Sequence, residues 1–531
     1  MREDVRRRRA WLAHRRDDRR RRAPRDAGRR ARRPGRARAA AARRGDLRRP
    51  PARADTRTRS RDQAARDRGR GGGAGGPREL AGRGGAAPRR GERHPAAPRT
   101  ATASAAGRAP TTGEHDDEAG LPRPDGDDLV GPIAAAVERL DDSYVAVQGP
   151  PGTGKTYVGS HVVARLVRQG WKVGVVAQSH AAVENMLRAV VGTAGVPADL
   201  VAKKRAGDGP SPTAVCAELD GAALAAFATE PGPRVVGGTA WDFAAGRLPE
   251  RTLDLLVVDE AGQFSLASTI AVGRAARRLL LLGDPQQLPQ VSQGAHPEPV
   301  DRSALGWLAD DHGVLVDSLG YFLPLSRRMH PHLAAAVSRL SYEDRLGAHP
   351  VAAARHLDGV APGIEQVLVE HTGNAVRSAE EAAEVVRQVE RFLGRAWTDE
   401  HGDVRPLGPR DVLVVAPYNA HVWEVRSALA AAGHPDVEVG TVDGLQGREA
   451  AVVVVTLAAS SGRDVSRGLG FLLSRQRVTV AVSRARWAAV VVRAPGLTDH
   501  LPGTPRGLEE LGAFLGLCSP PTPARTGPTP A

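Results

Sequence analysis

The run Tyr144-Val145-Ala146-Val147, followed by Gly149-Pro150-Pro151-Gly152-Thr153-Gly154-Lys155-Thr156, decides the reading of this chain. The apolar run suits a strand, the glycine-rich stretch a tight turn, and the lysine the first residue of a helix. In that order the backbone N–H groups of the turn and the positive end of the helix converge on one point, a cradle for the phosphates of a nucleotide. Lys155 reaches the β/γ-phosphates and the Thr156 hydroxyl binds Mg²⁺. The bland alternative is a Gly-rich turn that binds nothing. The full pattern between a strand and a helix outweighs it.

Composition divides the chain sharply. Residues 1–110 hold 36 Arg, no Lys and 11 acids, a net charge of +25; the whole chain carries +15, so residues 111–531 carry −10. The basic pI of about 10.8 therefore describes the first fifth and not the body. The first segment, with Arg6-Arg7-Arg8-Arg9 and Gly71-Gly72-Gly73, has almost no apolar periodicity and is expected to be disordered over 1–120. Three readings of it stand: a basic arm with salt-dependent affinity for phosphates, a targeting peptide, and an out-of-frame translation of G·C-rich sequence. The last is favoured and the arm comes second. Cys216 and Cys518 lack partners at metal-ligand spacing, and no apolar run approaches the length that spans a membrane, so a cytoplasmic protein is expected.

From about residue 122 short apolar runs recur, each followed by a turn and a helical stretch: 172–177, 253–258, 278–282, 412–416, 452–457 and 488–492. Runs apolar at every position suit strands buried on both faces of a parallel sheet. They fall into two groups, separated by a Pro-rich stretch near 285–325. Ser378-Ala379-Glu380-Glu381 opens an amphipathic helix whose acids read as a solvated face. Leu255-Leu256-Val257-Val258-Asp259-Glu260 reads as a buried strand ending in two carboxylates. Asp259 there can hold Mg²⁺ while Glu260 orients and deprotonates a water.

These residues resemble a known family. Asp259-Glu260-Ala261-Gly262-Gln263 is similar to motif II of superfamily 1 helicases. Gly283-Asp284-Pro285-Gln286-Gln287-Leu288-Pro289 resembles motif III, in which the family's Gln, here Gln287, senses the γ-phosphate. Gln178 to Val183 and Val235 to Thr239 resemble motifs Ia and Ib, which implies nucleic-acid contacts by Ser179, His180 and Thr239. Leu325 to Pro331, Gly440 to Glu449 and Val480 to Arg486 resemble motifs IV, Va and VI. The ordered set covers 122–495, and its wording is that of the 1B branch of RNA-decay and replication helicases. It is also similar to bacterial proteins that fuse a RecB-like nuclease to such a helicase.

The resemblance implies an α/β fold of two tandem RecA-like, doubly wound parallel-sheet domains, residues 121–320 and 321–517, with a disordered tail over 518–531. An ATP site lies in the cleft between them. It implies arginine fingers at Arg328 and Arg484, nucleotide contacts from Gly447 and Glu449, and nucleic-acid contacts from Thr441 and Gln446. Three positions depart from the family. Arg327 takes the slot of an aromatic ring that stacks on adenine, and as a planar cation it reads the base less selectively. Pro132 to Val137 lacks the Gln that reads the adenine edge, and Thr479 replaces an Asn in motif VI. Use of nucleotides other than ATP is therefore left open. No lysine precedes Lys155, whereas nucleases of the fused type use a catalytic lysine, so no nuclease activity is expected.

The resulting expectation is a monomeric, Mg-ATP-driven translocase and helicase on single-stranded nucleic acid, DNA ahead of RNA, moving 5′→3′. Two alternatives stay open. One is the same chemistry used to remodel protein–nucleic-acid complexes without unwinding. The other is a nucleotide-gated binding module, against which the positioned Glu260 argues.

Overall fold

In the computed structural model the described residues are 120–518, apart from 125, 208, 210–213, 290–293, 295 and 311. They all fall within one compact unit. The expectations for the Arg-rich segment and the Pro/Thr-rich tail lie outside them.

Consecutive β-branched and leucine residues build the first sheet. Its strands are β1 (Tyr144–Gln148), β2 (Lys172–Ala177), β3 (Val201–Lys204), β4 (Ala217–Leu219), β5 (Arg234–Thr239), β6 (Leu253–Val258), β7 (Ala276–Gly283) and β8 (Gly320–Phe322). They lie in the order β4-β3-β5-β2-β6-β7-β1-β8, and every pair is parallel. Parallel neighbours need crossovers. Helices α1 (Val130–Arg139), α2 (Lys155–Arg168) and α3 (His180–Gly192) cover one face. Because side chains alternate along a strand, Val145, Val147, Leu280 and Leu282 pack under these helices. Tyr144, Ala146, Leu279 and Leu281 pack on the opposite face, with Phe243 and Leu305. Each buried leucine of β7 contributes about 1.5–3 kcal/mol.

A short parallel pair follows, β9 (Leu325–Ser326) with β10 (Gly347–Ala348), and then the second lobe. Its strands are β11 (His356–Leu357), β12 (Gly363–Leu368), β13 (Ala396–Thr398), β14 (Val404–Pro406), β15 (Val412–Val415), β16 (Glu438–Gly440), β17 (Ala450–Thr456) and β18 (Ala485–Arg493). Five form a parallel sheet, β12-β18-β17-β15-β16, and β11-β13-β14 form an antiparallel ribbon. Helices α4 (Pro331–Ser341), α7 (Arg475–Val482) and α8 (Pro505–Cys518) cover one face of the larger sheet. On the other lie α5 (Ala379–Phe392) and α6 (Asn419–Ala431). The same alternation divides β17, with Val453 and Val455 toward α4 and Val452 and Val454 toward α5.

The fold is thus α/β, two tandem RecA-like, doubly wound sheets, as expected. Two details were not. β8 pairs with β1 and carries the first sheet through Phe322, past a division at 320. The acids of α5 are only in part a solvated face: Glu380 and Glu390 are exposed, but Glu381 is fully buried and Glu384 nearly so.

Candidate nucleotide-binding cleft

Parallel strands deliver all their carboxyl ends to one rim, so loops distant in sequence meet there. β1 enters the glycine-rich turn, Asp259 follows the last residue of β6 and Asp284 that of β7; Ser179 lies two residues beyond β2, and β5 ends at Thr239.

The turn needs glycine for two reasons. Gly152 (φ +77°) and Gly154 (φ +86°) are left-handed, where a side chain is strained. A Cβ on Gly152 would also stand 2.4 Å from the Cβ of Arg328, so its absence lets the second lobe approach. Lys155 Nζ donates to the Gly149 carbonyl at 2.5 Å, and Thr153 Oγ1 to the Pro150 carbonyl at 2.8 Å. Asp259 is buried, and its Oδ1 accepts from the Glu260 N–H at 2.9 Å. Burial, together with the neighbouring Glu260 charge, pushes the Asp259 carboxyl up to about 7. A divalent cation beside it would restore its charged form. Glu260 itself is left-handed at φ +56°. That conformation costs a non-glycine residue about 1–2 kcal/mol, and Glu260 lines the cleft. Motifs II and III also touch through the backbone. A Cβ on Gly262 would lie 2.1 Å from the Asp284 carbonyl oxygen.

The second lobe closes the cradle. The Arg327 N–H donates to the Gly152 carbonyl at 2.8 Å, and Ser326 Oγ to that of Pro151 at 3.0 Å. Arg328 Nε donates to Glu449 Oε2 at 2.5 Å and its Nη1 to the Ser483 carbonyl at 3.2 Å. Arg486 takes the other oxygen of Glu449 at 2.5 Å. Burial works to raise the Glu449 carboxyl, but the Arg328 and Arg486 guanidinia outweigh it and hold it below the usual range. Arg484 donates to the carbonyls of Val442 (2.9 Å), Leu445 (2.5 Å) and Arg448 (3.3 Å). Burial and the nearby Arg328 charge bring Arg484 down to about 10, a pair of cations that an anion would relieve.

Between the lobes lies a cavity of about 460 Å³, within the range of small-molecule sites. The first lobe lines it with Pro150, Pro151, Gly152, Gly154, Lys155, Thr156, Glu260 and Gln287. The second supplies Arg327, Arg328, Gln446, Gly447 and Arg484. Backbone donors, a lysine, a hydroxyl, a half-buried carboxylate and guanidinia suit a Mg²⁺-nucleotide; the buried Asp259 adjoins Glu260 but is not itself part of the lining.

The remaining expected residues are placed differently. Gln446, read as a nucleic-acid contact, lines this cleft, and Glu449 reaches it through its ion pair with Arg328. Ser179 Oγ accepts from the Ala182 N–H, Thr239 Oγ1 donates to Asp242, and Thr441 Oγ1 accepts from the Gly444 N–H. These three therefore cap local turns outside the cavity; His180 is the first residue of α3, on the same rim as Ser179. Asn185 and Gln263 also line the cavity and were not singled out. Gln263 had a signal, ending the motif that begins at Asp259; Asn185 lies mid-helix and had none.

Two AAA domain family models match, one over residues 133–303 and the other over 301–495. Among curated proteins, "DNA-binding protein SMUBP-2" of Rattus norvegicus is 28% identical over 67% of this chain and 41% of its own length. "Regulator of nonsense transcripts 1 homolog" of Neurospora crassa is 26% identical over 68% of this chain and 37% of its own. "DNA replication ATP-dependent helicase/nuclease JHS1" of Arabidopsis thaliana is 23% identical over 68% of this chain and 28% of its own. The chain thus spans about two fifths or less of these relatives. The AAA domain models match the two lobes in tandem, and together with these relatives they indicate a superfamily 1 helicase of the 1B type.

Proposed function

We propose that this protein is a Mg-ATP-dependent translocase and helicase on single-stranded DNA, moving 5′→3′. The observation that carries the reading is the cleft in which Lys155, Thr156 and Glu260 of one lobe face Arg328 of the other. When bound, Mg-ATP supplies the phosphoryl group that is transferred to water. Lys155 and the turn's N–H groups hold its phosphates, while Thr156 and Asp259 hold the ion. Glu260 takes a proton from the water at its carboxylate, and Arg328 and Arg484 neutralise charge on the phosphoryl oxygens. Because the site is split between lobes, closure follows nucleotide binding and opening follows release. The rims that flank the cleft then grip a strand by its backbone, without sequence preference. DNA is favoured by the names of two of the relatives above.

The test is ATP hydrolysis measured without nucleic acid, with oligo(dT) and with oligo(U). Oligo(dT) should stimulate turnover more than oligo(U), and Lys155→Ala should abolish it. Equal rates with and without either polymer would remove the translocase reading, and stimulation by oligo(U) alone would move the substrate to RNA.

A further inference from the structure

Two fully buried polar groups at the seam have no part in the hydrolytic scheme above, Asp284 and Tyr342. The Tyr342 hydroxyl donates to Asp284 Oδ2 at 2.7 Å. The same oxygen accepts from Gln287 Nε2 at 3.1 Å. The other oxygen accepts from the Gln286 N–H at 3.1 Å and from Gln148 Nε2 at 3.4 Å. One carboxylate of the first lobe therefore holds the amide nitrogen of Gln287 and is itself held by a side chain of the second lobe. The bond to Asp284 takes one N–H of the Gln287 amide and fixes its plane, leaving the second N–H and the carbonyl oxygen for other partners. The oxygen suits a water and the second N–H a phosphate oxygen, so the orientation of the amide decides where each of them points in the cleft.

The position of Tyr342 gives this contact a mechanical consequence. It is the C-cap of α4, which begins three residues after Arg328. At 1.5 Å per residue the helix is a rod of about 16 Å, fixed in the second lobe by Leu333, Val337 and Leu340. Ser341 Oγ meets Thr479 Oγ1 at 2.6 Å, which pins the same end to α7. At the near end, Ser326 and Arg327 bond the glycine-rich turn; at the far end, Tyr342 bonds Asp284. A tilt of the second lobe that moves Arg328 must also move the Tyr342 hydroxyl.

We infer that Tyr342 is a positioning residue: through Asp284 it makes the orientation of the Gln287 amide depend on the placement of the lobe that carries Arg328. This role rests on the reading of Gln287 as the residue facing the γ-phosphate and its water. It reports lobe closure to the hydrolytic side of the cleft without touching the nucleotide.

The experiment is a double-mutant cycle of Tyr342→Phe and Gln287→Ala, with kcat and KM for ATP measured in the full chain with oligo(dT) and with oligo(U). Loss of a hydrogen bond to a charged group should lower kcat of Tyr342→Phe by roughly 5- to 30-fold, with KM changed by less than about twofold. The double variant should be no slower than Gln287→Ala, because both act through one amide. Additive losses, or an unchanged Tyr342→Phe, overturn the coupling. A Gln287→Ala of normal turnover instead overturns the reading of Gln287. If Tyr342→Phe does not fold, Asp284→Asn takes its place in the cycle with the same expected and overturning results.

Discussion

At Glu260 a backbone turned into the left-handed region, φ +56°, lies next to a buried carboxylate and opens on the cleft. Strain of this kind persists where the surroundings over-determine it, and it clusters at functional sites. Replacing Glu260 by Gln keeps the shape and removes the proton acceptor. Nucleotide binding should survive while turnover falls by roughly 100-fold or more, checked by titration with a fluorescent nucleotide beside steady-state hydrolysis. Normal hydrolysis in this variant would mean that another group accepts the proton. Glu260 was legible because two carboxylates end a buried apolar run. Tyr342 was not, because a tyrosine closing a helix has no local mark of the carboxylate it meets 58 residues away.

At the scale of elements, α5 shows what patterning misses. Its spacing announced an amphipathic helix with Ser378 as cap, and the cap is there, Ser378 Oγ accepting from the Glu381 N–H at 3.0 Å. Glu381, however, turns inward and fastens α5 to the end of β17. Its Oε2 accepts from Thr456 Oγ1 and from the N–H groups of Leu457 and Ala458, both at 2.9 Å. Its Oε1 lies 3.1 Å from His371 Nε2. β17 ends at Thr456, so the N–H groups of the two residues beyond it find this carboxylate in place of a ladder partner. Glu381→Ala should cost about 3–5 kcal/mol, read as a lowered midpoint in urea unfolding. A change below about 1 kcal/mol would show that the network is not what holds α5.

For the whole molecule, the buried His421 and the half-buried His330 set the acid limit. Burial brings His421 down to about 4, and burial with the neighbouring His332 does the same to His330. A group whose folded value is depressed contributes stability above its unfolded value, and that stability is lost as pH falls. The melting temperature should therefore drop between about pH 6.5 and pH 4, with about 3 kcal/mol from His421. His371 works in the opposite direction. The Glu381 carboxylate raises it, so its contribution is present below about 6.5 and is lost as pH rises through the folded value. Calorimetry across pH 4–8 checks the sign, and a flat profile on the acid side would contradict it. The sequence by itself determined the strands, the glycine-rich cradle and the order of the motifs, because a buried parallel strand and a phosphate turn are local in chain and in chemistry. Only the tertiary structure decided that Glu449 holds Arg328, that carbonyls of the 442–448 loop clasp Arg484, and that Tyr342 meets Asp284. The first two pairings are set by how distant loops of the second lobe fold together and the third by how the two lobes meet, and no period or spacing along the chain encodes those choices.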